Sequence, residues 1–227
     1  VHDDASTDDT CSIVRQLGQD AKIPITLIRR EVNAWSQGGA FYFEILFHSK
    51  SPFIAVLDGD DFWLSRDKIQ KQYHAIKDSD SSLSYHDYWS FQNLEDSKQR
   101  VFPSWLGVWT KDFFYSIAAE NPIGTSTVML RTDALHDLDM SDSGEHSFLD
   151  FPIWAQLAAK SKPLYLSGLK TAYRVHPGGI SRNKSWLKSA SEAKVVNRWL
   201  SKRVPSLGKS KFLWSIFSSL LVRILWI

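Results

Sequence analysis

The sequence predicts an α/β fold with a largely parallel central sheet, on three observations. Short apolar, β-branched runs alternate along the chain with stretches of helical periodicity. The run Phe53-Ile-Ala-Val-Leu57 stops abruptly at Asp58-Gly-Asp-Asp61, as a core strand does when it delivers polar groups to its tip. A second acidic pair, Asp3-Asp4, closes what reads as the end of an earlier strand. In sheets of this class ligands sit beyond the carboxyl ends of the strands, where both acidic clusters fall.

Taken in order, Ala5–Thr10 reads as a turn entering a helix near 8–18, with Ser and Asp available as caps. Ile25–Ile28 is a strand, followed by a loop around Asn33–Gly39 and a helix to about His48. After the acidic-tipped strand, Arg66–Lys77 is an amphipathic helix with Ile69, Tyr73 and Ile76 at helical spacing. Ser82–Phe91 is a further strand, Lys111–Glu120 a helix, and Thr125–Arg131 a strand by its β-branched character. Asp150–Lys160 is a helix, since Pro152 fits a first turn and apolar residues recur at helical intervals. Strands near 163–167 and 170–175 lead to the turn His176-Pro-Gly-Gly179.

The 227 residues suffice for one sizeable core, and one cysteine, Cys11, excludes an internal disulfide framework and fits a reducing compartment. The chain opens on Val-His-Asp-Asp without a signal peptide or an initiator Met, and we expect sequence to precede it. A net charge of +2 conceals an asymmetry: residues 1–150 carry 24 acidic against 13 basic residues, and residues 151–227 one against 14. Either the two halves face each other within one fold, or the basic end meets an anionic surface.

The tail differs in kind. Nine basic residues and one acidic lie between Arg182 and Lys211, on a helical pattern from about Ser185 to Arg203. Lys211–Ile227 is helical in pattern, with Lys211, Ser215, Ser219 and Arg223 on one polar line and apolar faces elsewhere. A helix of that length reaches about 25 Å, short of the ~30 Å hydrocarbon core. It reads as an interfacial helix beside a basic stretch, or as a helix docked on protein.

Three carboxylates within four positions repel one another unless a cation or protons intervene. Oxygen ligands suit Mg2+ or Mn2+, and Mg2+ commonly completes its shell with substrate phosphate. Asp58 and Asp60 share one direction along a strand, and Gly59 leaves room beside them. Asp58-Gly-Asp-Asp61 therefore reads as a metal–diphosphate site.

Six segments, in order, resemble the family-2 glycosyltransferases. They are His2–Thr10, Asn33–Gly38, Asp58–Trp63 with the following Asp67–Gln72, Thr125–Arg131, Phe148–Ala158 and Tyr173–Ser181. The resemblance spans residues 1 to about 183 and implies the GT-A (Rossmann-like) fold, with residues 184–227 a helical appendage. The family's usual first strand and helix have no counterpart before Val1, so a chain of this extent is expected to be N-terminally truncated and could be inactive.

The resemblance implies an inverting, metal-dependent transfer of a sugar from a nucleotide-diphosphate donor, a UDP-sugar by preference, to a hydroxyl. The acceptor is a glycan or lipid-linked glycan of cell-surface polysaccharide or lipopolysaccharide synthesis, at the inner face of the plasma membrane. By resemblance Asp3, Asp4, Ser6, Asn33, Asp58 and Arg174 contact the nucleotide, while Asp58, Asp60, Asp61 and His176 surround the metal. Asp150 is the implied catalytic base, with Glu145 the alternative; without the resemblance Asp150 reads as a helix cap. Trp63, Trp89, Trp105 and Trp109 are candidate sugar platforms or core residues.

Three other readings fit less well. A phosphoacceptor receiver domain needs a Lys-Pro closer than Lys162-Pro163 and gives the Gly-Asp-Asp-Phe-Trp continuation no purpose. Nucleic-acid binding is disfavoured because the front half is acidic. A non-catalytic membrane- or glycan-binding module derived from this fold is the remaining alternative.

Overall fold

The computed structural model describes residues 1–34, 45–92, 123–140, 150–179, 198 and 201–203. Its elements alternate as the sequence predicts. They run β1 (His2–Asp3), α1 (Thr10–Asp20), β2 (Ile28–Arg29), β3 (Phe53–Ala55), β4 (Phe62–Trp63) and α2 (Lys68–Lys77). Then come β5 (Leu83–Tyr85), β6 (Tyr88–Phe91), a 3-10 turn (Thr125–Thr127), β7 (Met129–Arg131) and a second 3-10 turn (Asp133–Leu135). The series closes with α3 (Phe151–Lys160), β8 (Leu164–Tyr165) and β9 (Thr171–Arg174). The helix expected at 111–120 and the tail helix at 211–227 lie outside the described residues.

The pairing is mixed rather than mostly parallel. β1–β2, β5–β8 and β6–β9 are parallel, whereas β3–β7, β5–β7 and β4–β9 are antiparallel. The antiparallel pairs are what build the site. Phe53 lies opposite Arg131, Ile54 opposite Leu130 and Ala55 opposite Met129. Three residues further along this register, Ser126 reaches Asp58, and its hydroxyl accepts the Asp58 N–H at 3.0 Å. In the same way β9 returns antiparallel to β4, Ala172 opposite Phe62, and carries Arg174 and His176 back past the acidic tip.

The core is apolar and centres on α3. Ile153, Trp154, Ala155 and Leu157 are fully buried and pack with Leu83, Val128, Leu130 and Leu135. An apolar α3 of this kind is held by packing on both sides rather than by amphipathic balance. α3 starts where expected, with Asp150 as its cap and Pro152 in its first turn.

α2 forms as predicted but buries a different face. Lys68, Gln72 and Ile76 point inward, while Ile69 and Tyr73 are 41% and 42% exposed. Ile76 is common to both faces, and hydrogen bonding explains why Lys68 and Gln72 join it in place of Ile69 and Tyr73. The Lys68 ammonium donates to Gln72 Oε1 at 2.6 Å and lies 4.4 Å from the centre of the Trp63 ring. The Gln72 amide donates to the Ser84 and Thr127 carbonyls at 3.3 and 2.9 Å. A polar face satisfied in this way can be buried. Burial pushes the Lys68 amine down to about 7. Arg131 at the end of β7 closes α2 by donating to the carbonyls of Ile76, Lys77 and Ser79.

Candidate functional site

The acidic tip follows β3 as a tight turn in which the Asp61 N–H donates to the Asp58 carbonyl at 3.1 Å. The turn sends the three carboxylates in different directions. Asp58 is half-buried, and its carboxyl is pushed up to about 7, first by burial and then by the charges of Asp61, Asp150 and Asp60. Asp60 faces outward, its side chain 45% exposed, with Oδ2 at 3.1 Å from His176 Nε2. Asp61 turns inward: Oδ2 accepts from the Ser126 hydroxyl at 2.7 Å and Oδ1 from the Arg174 N–H at 2.9 Å. Burial raises Asp61 above the usual carboxylate range, against the pull of those two donors. A Cβ built on Gly59 meets nothing within 4 Å, so open space adjoins the tip.

His176 is placed by the turn that follows β9. The Gly179 N–H donates to the His176 carbonyl at 3.0 Å, and a Cβ on Gly179 would stand 3.1 Å from that oxygen. The main chain of Arg174 serves the site through Asp61, whereas its guanidinium lies 5.7 Å from the centre of the Phe91 ring.

The 3-10 turn Thr125–Thr127 joins this tip to α3. The Thr125 hydroxyl donates to Asp150 Oδ2 at 2.9 Å, and Asp150 Oδ1 accepts the Phe151 N–H at 2.8 Å. Burial lifts Asp150 above the usual carboxylate range, opposed by these two donors. The Trp154 indole N–H, one helical turn on, leans on the same carboxylate without completing a hydrogen bond. Because the charge of Asp150 is felt at Asp58, the candidate base and the acidic tip share one electrostatic environment.

Asp3, Asp4, Ser6 and Asn33 form a second cluster at the end of β1. Asp3 is 3% exposed; its Oδ2 accepts the Ser6 N–H at 3.2 Å and lies 3.6 Å from Arg29 Nε. The Ser6 side chain is the chief reason its carboxyl is held low, with Cys11, this backbone N–H and Arg29 adding to it against the effect of burial. Asp4 Oδ1 accepts the Ala34 N–H at 2.8 Å, and the Asn33 amide donates to the Asp4 carbonyl at 3.1 Å. Ala5, between Asp4 and Ser6, has φ of 61°, the left-handed region that costs a non-glycine residue about 1 kcal/mol or more.

Thr125 and Ser126, at the centre of the site, lie in the segment Thr125–Arg131 that the resemblance had marked, but neither was given a role from sequence. The signal available was three hydroxyls in a row, Thr125-Ser-Thr127, ahead of an apolar strand. Trp63 is engaged at both ends: its indole N–H donates to the Ser126 carbonyl at 2.8 Å and Lys68 covers its ring. Trp89 is covered by Lys170 at 4.2 Å. Glu145, Trp105 and Trp109 lie outside the described residues.

Carboxylates and an imidazole at one partly open corner suit a hard divalent cation that keeps waters and takes further ligands from phosphate. No group of three His, Cys, Asp or Glu side chains is already gathered for chelation among the described residues. The site would fit an ion whose shell the ligand completes: Asp60 and His176 would supply two donors, and Asp58, raised chiefly by burial and then by the neighbouring carboxylates, adjoins them.

Comparison with known proteins bears on the family and the fold. The sequence profile of glycosyl transferase family 2 matches residues 1–138. An Escherichia coli protein, the UDP-Glc:alpha-D-GlcNAc-diphosphoundecaprenol beta-1,3-glucosyltransferase WfaP, is 26% identical over 184 residues, 80% of this chain and 67% of its own. The crystal structure of S. aureus TarS 1-349 superposes with a TM-score of 0.65 at 16% identity, covering 97% of this chain and 60% of that one. The mannosyltransferase PcManGT from Pyrobaculum calidifontis, in complex with GDP-Man and Mn2+, gives a TM-score of 0.64 at 15% identity, with 97% and 63% covered. The chain thus spans about three fifths of the length of these solved chains. With a family profile over more than half of its length and the fold of these two solved chains, the chain belongs to glycosyl transferase family 2 and has the GT-A fold.

Proposed function

We propose that this chain carries the catalytic centre of an inverting, metal-dependent glycosyltransferase. It takes a sugar from a UDP-sugar and passes it to a hydroxyl of a lipid-linked glycan in cell-surface polysaccharide synthesis. The observation that carries this reading is the meeting of two groups far apart in sequence. The acidic tip at Asp58–Asp61 and the capping carboxylate Asp150 are held by consecutive residues of one turn, Ser126 and Thr125.

Roles follow from exposure and partners. Asp60 and His176 hold Mg2+ or Mn2+, which when bound stabilises charge on the departing diphosphate. Asp58 contacts the donor ribose or a metal-bound water. Asp3, Asp4, Ser6 and Asn33 hold the nucleoside. Asp150, held at both oxygens, accepts the proton of the acceptor hydroxyl when it is in its ionised form. The relative from Escherichia coli supports UDP-glucose as the first donor to try and a GlcNAc-diphospho-lipid as the first acceptor.

The test is transfer of radiolabelled glucose from UDP-glucose to a synthetic GlcNAc-diphospho-lipid in the presence of Mn2+. Label should move to the lipid phase with inversion at the anomeric carbon. Absence of both transfer and donor hydrolysis across a panel of nucleotide sugars would instead support a non-catalytic binding module.

No helix among the described residues is long and apolar enough to cross a membrane. We propose peripheral contact through the basic and apolar residues 182–227. The chain should sediment with anionic vesicles and a variant ending at residue 210 should stay in the supernatant; equal behaviour of the two would remove the proposal.

A further inference from the structure

Ser126 is engaged at both its hydroxyl and its carbonyl. Its hydroxyl has one proton and two lone pairs. The proton goes to Asp61 Oδ2 at 2.7 Å and one lone pair takes the Asp58 N–H at 3.0 Å. Its carbonyl accepts from the Trp63 indole at 2.8 Å and the Thr171 hydroxyl at 3.3 Å. Ser126 is 3% exposed and Asp61 9%, so neither hydrogen bond is exchanged readily for water. Asp61 in turn ties the tip to β9 through the Arg174 N–H. Both oxygens of Asp61 are therefore spent inside the protein, whereas Asp60 stands 45% exposed beside His176.

We propose that Ser126 and Asp61 form a strut that positions the acidic tip, so that Asp61 acts through Ser126 and the backbone and makes no contact with the ion. This rests on the functional reading above and refines it, dividing the three aspartates into two that face the ligand and one that holds them. The strut fixes the turn between Asp58 and Asp61, which sets the direction of Asp60. It also couples that turn to Thr125, the next residue along, and so to Asp150. A buried residue that orients a ligand-bearing side chain commonly changes metal affinity by about 10- to 100-fold when removed.

The test is calorimetric titration of UDP, with and without Mn2+, into the wild-type chain and three variants. Wild-type affinity should tighten in Mn2+, and Asp60→Ala should lose that increment. Ser126→Ala, which removes only a hydroxyl and adds no bulk, should lose about tenfold of the increment. Its affinity for UDP without Mn2+ should stay within about twofold of wild type, a split that general loosening of the fold would not produce. Asp61→Asn keeps an acceptor for the Arg174 N–H and an amide donor for Ser126 Oγ. It should retain the increment within about threefold.

An unchanged increment in Ser126→Ala, or a loss in Asp61→Asn as large as in Asp60→Ala, would overturn the strut. If the wild-type chain itself binds UDP with no help from Mn2+, the metal reading falls and this inference with it. That outcome is distinct from a wild-type increment that Ser126→Ala preserves.

Discussion

Replacing Asp60 with alanine is expected to abolish Mn2+-dependent nucleotide binding, weakening it by at least about 100-fold, some 2.7 kcal/mol. Asp60 carries the largest effect because it is the carboxylate of the tip that is turned outward and paired with an imidazole, at 3.1 Å. Asp58 is half-buried, its ionised form disfavoured by burial and then by three neighbouring carboxylates, and Asp61 is tied into the protein. The loss should be specific: the far-ultraviolet spectrum and the affinity for UDP without metal should be retained, because Asp3, Asp4 and Asn33 are held by their own contacts. Retained Mn2+ dependence in Asp60→Ala would move the ion elsewhere.

Asp150→Asn should leave donor binding within about twofold and reduce turnover by about 100- to 10,000-fold. The change preserves shape and the cap on α3, since an amide oxygen still accepts the Phe151 N–H, but it cannot take a proton. The wild-type pH profile provides a second check. A base works ionised, so activity falls as pH is lowered through its pKa. Burial raises Asp150 above the ordinary carboxylate range. The acidic limb should therefore begin at higher pH than an exposed aspartate would give, and should disappear from the residual activity of Asp150→Asn. Turnover preserved in the variant would transfer the role to another carboxylate, Glu145 being the first to test.

The acidic tip was legible because an apolar run that ends in carboxylates is a local pattern, and strand and ligand chemistry are both written in adjacent residues. α3 was legible for the same reason, down to Pro152 in its first turn. What local patterns do not carry is pairing direction. An antiparallel β3–β7 register brings Ser126 to Asp58 across 68 residues, and β4–β9 brings the Arg174 N–H to Asp61 across 113. Neither follows from alternation of elements, which favoured a mostly parallel sheet. α2 shows a second limit: periodicity picked an apolar face, and the helix instead buried Lys68 and Gln72 because Trp63, Ser84 and Thr127 supply partners. Arg174 shows a third. Its type suggests phosphate; what sequence could not show is that its backbone N–H is bonded to Asp61, with its guanidinium 5.7 Å from the centre of the Phe91 ring.

Crystals grown with UDP and Mn2+, measured at the manganese absorption edge, locate the ion directly. The account predicts one strong anomalous peak within coordinating distance of an Asp60 oxygen and His176 Nε2, with diphosphate oxygens completing the shell and Asp61 still bonded to Ser126. A peak remote from Asp60, or UDP bound at the same place with no peak, would contradict it.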